Sequence, residues 1–399
     1  MKYNHSLPWR CREDQGLQSR RLGDADLAVA QFFLRRHHET TTTGTGAIPM
    51  NANWRKSSLA CFDVLPGERI VTIDMHTAGE PLRIVLDAPF LPHGADILAR
   101  RRDASKGTWD RFRRALMFEP RGHSDMYGAI ITAPVTKSAS FGVLFMHNEG
   151  YSTMCGHAIV ALGKAAVELG WVEAVEPETV VQIDAPAGLV TARVNVREGR
   201  ALSTRFENVP SYSAELDKTV TVPGLGDVPF DIGYGGAYYA FVDATSIGLR
   251  LDHDNGRHIA VAGMAIKRAV MDALPIRHPE FADLGYLYGT IFLGPAANPR
   301  HHSRHVCVFA DGAIDRSPTG TGVSARLALL HVRQEIAAGE WIAIESITGE
   351  TFGGRVLEAR AYHGIPAVIP EVEGTAHFTG CHTFLVEPGD PLAQGFLVR

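Results

Sequence analysis

The apolar positions of this chain fall into two kinds of run. From Arg69 onward, short β-branched stretches alternate with turn residues. Ile70-Val71-Thr72-Ile73 and Leu82-Arg83-Ile84-Val85 flank Ala78-Gly79 and predict two strands. More strands are predicted at 127–132, 141–145, 180–183, 190–194 and 202–206. A linker is predicted near 209–213. Beyond it come strands at 220–222, 228–230, 232–242 (glycine-rich at its start), 290–293, 305–309 and between 342 and 368. The second kind of run has helical spacing. Ala158 to Leu169 reads as a buried helix stopped by Gly170, and Val323 to Ile336 as another stopped by Gly339. Residues 257–274 form a third helix, and the arginine-rich stretch 95–117 a solvated helical one. Strands around a central helix, twice over, predict an α/β or α+β architecture with internal pseudo-symmetry.

The composition is that of a globular protein: 399 residues, 45% hydrophobic and 21% charged. A net charge of −5 gives no support to a nucleic-acid partner. No apolar run reaches the roughly 20 residues that span a bilayer. The five cysteines are scattered and lack Cys-x-x-Cys spacing. That argues against a disulfide framework or zinc ribbon and for a reducing, cytoplasmic setting. Residues 1–68 differ from the rest. They mix arginines with acids, carry a short helical pattern at 24–36 and a threonine-rich stretch at 40–46, and read as a flexible extension or an upstream start, with Met50 a candidate initiator.

Candidate chemistry centres on two stretches that precede the buried helices. Cys155-Gly156-His157 and Thr319-Gly320-Thr321 have the same form: a small nucleophile-type residue, a glycine, then a hydrogen-bonding residue. At a helix N-terminus, unpaired N–H groups favour negative charge and lower a thiol pKa. A carboxylate between two such ends would be held by the N–H groups of Gly156, His157, Gly320 and Thr321. The glycines allow close backbone approach.

Four motifs carry a resemblance. Met154-Cys-Gly-His157 and Asp315-Arg-Ser-Pro-Thr-Gly-Thr-Gly322 resemble the two signature motifs of the proline racemase superfamily. Thr72-Ile-Asp-Met-His-Thr-Ala-Gly-Glu-Pro-Leu-Arg83 is similar to its N-terminal signature. Thr379-Gly-Cys-His-Thr-Phe384 with Asp390-Pro-Leu is similar to its C-terminal one. The resemblance implies a diaminopimelate-epimerase-like α+β fold. Its two lobes would comprise 69–208 plus 376–399, and 209–375. It implies no cofactor and no metal, a small imino acid as substrate, and Asp315 as a contact to the substrate nitrogen. His157 would contact the carboxylate or orient Cys155. Racemases and epimerases of the family carry cysteine where this chain has Thr319. The threonine form resembles trans-3-hydroxy-L-proline dehydratases.

That departure has a chemical reading. Racemisation needs an acid and a base on opposite faces of Cα, and a threonine hydroxyl is too weak for either at neutral pH. Cys155 is then the single proton acceptor, which suffices for loss of a hydroxyl on the same face as the α-hydrogen. Other readings stay open at this point. They are a proline racemase or 4-hydroxyproline 2-epimerase, a non-catalytic imino-acid-binding protein, and a cysteine hydrolase with a histidine base. A dinucleotide site at Gly320-Thr-Gly-Val-Ser-Ala325 is a further one. His301, His302 and His305 read as a polar surface loop rather than metal ligands. The sequence is compatible with a monomer or a homodimer.

Overall fold

Alternating β-branched and aromatic side chains drive this chain into strands, and eighteen of them join one network among the described residues. The computed structural model describes residues 61–398, apart from 90 and 107. The helical pattern at 24–36 and the Met50 start lie outside that range.

The strand pairing is duplicated. In the first set, Ala376–Val386, Glu68–Thr77, Glu80–Asp87, Tyr127–Thr132, Phe141–His147, Glu178–Ala185, Gly188–Arg197 and Arg200–Glu207 pair successively. The senses are antiparallel, antiparallel, parallel, antiparallel, parallel, antiparallel, antiparallel. In the second, Ser211–Val222, Gly226–Tyr234, Tyr238–Asp243, Leu287–Gly294, Ser303–Phe309, Ile342–Glu345, Thr351–Tyr362 and Ile365–Gly374 pair in the same order of senses. Strand Ile365–Gly374 also pairs with Arg200–Glu207 and Ser211–Val222 and joins the two sets. The first set thus takes its leading strand from the end of the chain.

A pair of carboxylates repeats as well. Asp184 accepts from the N–H groups of Val135 and Thr136 at 2.6 and 2.7 Å. Glu345 accepts from those of Ala297 and Asn298 at 2.8 Å each. Burial pushes Glu345 up, but those N–H groups with Arg304 and His301 hold it down at about 2.

Five helices among the described residues accompany the strands: α1 (Ile97–Ala104), α2 (Thr108–Met117), α3 (Gly156–Glu168), α4 (Gly256–Ala273) and α5 (Gly320–Val332). Helices α3 and α5 are the central ones. Ala158 to Leu162 in α3 are fully buried, as are Leu327, Leu329 and Leu330 in α5. A helix apolar on every side belongs inside a core. Each fully buried Leu, Ile or Val there contributes about 1.5–3 kcal/mol. The fold is the α+β, diaminopimelate-epimerase-like architecture.

Four sequence expectations need correction. The stretch 95–117 is two helices, and its arginines are not merely solvated. Arg101 donates to the Tyr151 carbonyl at 2.6 Å, and Arg102 pairs with Asp283. Residues 209–213 are no linker, because Ser211–Val222 is one twelve-residue strand. Helix α5 ends at Val332, with Gln334 taking the left-handed turn (φ 60°), so Gly339 is not its stop. The histidines at 301–305 do not form a surface loop throughout. His301 bonds Glu345 at 2.9 Å, while His305 lies in a strand and is fully buried.

Candidate active site

Helices α3 and α5 meet at their N-termini, where Gly156 and Gly320 are in direct backbone contact. A Cβ on Gly156 would stand 2.5 Å from the Gly320 Cα. This brings Cys155, Gly156, His157, Gly320 and Thr321 together, with Thr319 and Asp315 on the approach to α5. Neither helix has a side-chain N-cap, and in the first turn of α3 it is the Cys155 sulfur that takes an N–H, that of Ala158.

The two lead residues are not equivalent. Cys155 is extended (φ −147°), whereas Thr319 has φ 65°, a conformation strained for a β-branched side chain. Its surroundings hold it there. The Thr319 hydroxyl donates to Asp315 Oδ2 at 2.7 Å, Ser317 N–H donates to Asp315 Oδ1 at 2.8 Å, and Thr319 N–H donates to Ser317 Oγ at 3.1 Å. Both Asp315 oxygens are therefore engaged by its own loop in this closed site.

Cys155 is 5% exposed, and its Sγ lies 3.1 Å from His157 Nδ1. Burial pushes the thiol well above its ordinary pKa. The Ala158 N–H and the Tyr127 phenol pull it back, while Asp315 and Glu80 push it further up. The expectation of a thiolate near neutrality from the helix end alone is corrected: in the closed site, desolvation outweighs the helix N–H groups. Burial also lowers the His157 pKa, which favours the neutral ring. The His157 carbonyl accepts from Thr77 at 2.9 Å.

A cavity of about 20 Å³ lies between these groups. That is room for about one water molecule, so a five-membered ring enters only if the walls part. It also leaves no space for a pyrophosphate at Gly320 and Gly322, which pack against Gly156 and Ile291.

Sequence reasoning missed several groups here. Tyr127, Tyr239, Tyr288 and Cys307 line the same cavity. The Tyr239 hydroxyl bonds Thr321 Oγ1 at 2.6 Å. A signal existed: Tyr127-Gly128-Ala129-Ile130 and Tyr288-Gly289-Thr290-Ile291 stand in corresponding strands of the duplicated pattern. Glu80, inside the N-terminal motif, is fully buried and accepts from the Arg316 N–H at 2.7 Å. Burial, then Asp315, raise its carboxyl well above the usual range. The glycine-rich 232–242 stretch serves packing: Gly235 abuts the Thr321 carbonyl in the first turn of α5.

The proline racemase family model matches residues 72–397. A Colwellia psychrerythraea protein named trans-3-hydroxy-L-proline dehydratase is 47% identical over 330 residues, covering 83% of this chain and 93% of that protein. A Burkholderia multivorans protein named 3-hydroxyproline 2-epimerase is 47% identical over 329 residues, covering 82% and 98%. The crystal structure of a hydroxyproline epimerase from Agrobacterium vitis, with bound trans-4-hydroxy-L-proline, superposes with a TM-score of 0.79. It is 28% identical, covering 83% of this chain and 96% of that one. On the extent of these matches, this chain belongs to the proline racemase family.

Proposed function

We propose that the protein is a trans-3-hydroxy-L-proline dehydratase, a hydro-lyase that works without a cofactor. The observation that carries the reading is the inequality of the two helix ends: a thiol at Cys155, and at Thr319 a hydroxyl bound to Asp315. A relative of that name at 47% identity supports it.

In the proposed reaction, the substrate carboxylate takes the N–H groups of Gly156, His157, Gly320 and Thr321. Asp315, released from Thr319, holds the ring ammonium. The α-hydrogen and the 3-hydroxyl lie on one face of the ring. Cys155 removes the α-proton, and the C–H electron pair becomes the Cα–C3 double bond as the C3–O bond breaks. The same sulfur returns its proton to the departing oxygen, releasing water. The enamine then tautomerises to Δ1-pyrroline-2-carboxylate. Excluding bulk water strengthens each of these electrostatic contacts.

A second reading, 2-epimerisation of 3-hydroxyproline, is favoured by the Burkholderia multivorans relative. Incubation with trans-3-hydroxy-L-proline, trans-4-hydroxy-L-proline and L-proline, with identification of the products, separates the two. Pyrroline-2-carboxylate from the first substrate alone supports dehydration; an epimer as the main product replaces it. We place the enzyme in the cytoplasm, as a monomer or homodimer. Cys155, Cys307 and Cys381 are free thiols, and no helix among the described residues is long and apolar enough to cross a membrane.

A further inference from the structure

We propose that Tyr127 is a positioning residue for Cys155: its phenol donates a hydrogen bond to the sulfur as the thiol ionises and holds the anion in a dry site. The inference rests on Cys155 being the proton acceptor. Four observations carry it. Tyr127 is 2% exposed and lines the same cavity as Cys155. Its ring stands edge-on to that of His157, with centroids 4.8 Å apart, and His157 Nδ1 is 3.1 Å from the sulfur. Its hydroxyl is bonded to Ser152 Oγ, on the short strand that leads into Cys155. Tyr288, its counterpart in the duplicated pattern, lines the cavity beside it.

A phenol has one proton to give and oxygen lone pairs that accept. Ser152 carries a hydroxyl able to donate to the Tyr127 oxygen, so the Tyr127 proton can turn from Tyr288 to the sulfur as the charge develops there. Burial raises the Tyr127 pKa well above its ordinary value, so it acts as a donor and keeps its proton throughout. The proton that moves comes from the substrate and goes to sulfur; the phenol only stabilises the charge.

The need is physical. A buried anion without hydrogen bonds is strongly disfavoured, and the Ala158 N–H and the Tyr127 phenol are the groups that lower the Cys155 pKa against burial. A hydrogen bond to a charged group contributes enough to move a pKa by about one to two pH units.

The test is the pH dependence of iodoacetamide alkylation at Cys155 in the full-length enzyme. In Tyr127→Phe the alkylation midpoint should rise by about one to two pH units, and kcat at neutral pH should fall about 10- to 100-fold. KM should change little, and kcat should recover as pH is raised. Ser152→Ala, which removes a donor to the phenol, should shift the midpoint in the same direction by less. An unchanged midpoint in a folded Tyr127→Phe enzyme overturns the proposal. Should that variant not fold, an unchanged midpoint in Ser152→Ala overturns it. Wild-type enzyme that fails to turn over trans-3-hydroxy-L-proline would remove the substrate reading instead, and the alkylation midpoint would still report on Tyr127.

Discussion

Gly156 and Gly320 leave no room for a side chain between them: a Cβ on Gly320 would stand 2.7 Å from the Gly156 Cα, and the reciprocal approach is as tight. The obstacle on each side is backbone, which cannot rotate away. Gly156→Ala should therefore force α3 and α5 apart. The expected result is a loss of stability of about 1–3 kcal/mol and of most activity, since the N–H groups of both first turns would be displaced. Melting temperature and turnover measured on the same preparation check this; a variant near wild type in both contradicts the contact.

Cys155→Ser should abolish dehydration, because a serine hydroxyl cannot accept the α-proton near neutrality. A fall of at least about 1,000-fold in kcat is expected, on the scale of a lost essential base. Iodoacetamide should inactivate the wild-type enzyme, and pyrrole-2-carboxylate, a planar mimic of the carbanion, should protect it. Substantial turnover by the serine variant would remove the thiol from the mechanism.

Thr319→Cys should introduce some 2-epimerisation by placing a second thiol opposite the first. It also removes the hydroxyl that donates to Asp315, so dehydration should weaken. Deuterium incorporation at Cα in heavy water, with chiral separation of the imino acids, measures both effects. Absence of any exchange from the second face would show that Thr319 does not face the Cα.

Glu80→Gln should stabilise the protein at neutral pH. Burial raises the carboxyl, so the folded state keeps the proton that the unfolded chain releases above about 4.5. Its favourable contribution is complete below that value and fades as pH rises through the folded pKa. An amide avoids the penalty and can still accept from the Arg316 N–H. Each pH unit separating folded and unfolded values corresponds to about 1.4 kcal/mol. Unfolding midpoints at roughly pH 4 and roughly pH 8 should show the gain only at the higher pH.

His147 predicts the opposite slope. Burial, then Arg113, lowers it from 6.5 to about 3. It stays neutral in the folded state while the unfolded chain takes up a proton below 6.5. Stability is therefore full above 6.5 and declines as pH falls toward 3. His147→Gln should flatten that decline by up to about 1.4 kcal/mol per pH unit. Equilibrium denaturation across this range provides the measurement.

Much of the fold was legible because its rules are local. β-Branched runs on either side of Ala78-Gly79 marked the two strands within 70–85, and continuous apolar runs marked α3 and α5. What escaped depends on distant partners. Nothing around residue 209 signals that strand Ser211–Val222 begins there, since its pairing mate follows in the next hairpin. At the site, Cys155 and Thr319 stood out by their shared form. Tyr127 and Tyr288 did not, because their shared Tyr-Gly form gains meaning only once the duplicated pairing is known, and a glutamate such as Glu80 has no spacing that betrays what it faces.

The exchanged strand Ala376–Val386, which seals Glu68–Thr77, has a consequence for biogenesis. The sheet around α3 is begun early in the chain, yet one of its edges stays open until the whole second set of strands has been made. The sheet that surrounds Cys155 is therefore completed only after the strands leading to its Thr319 counterpart, which ties the maturation of one helix end to that of the other.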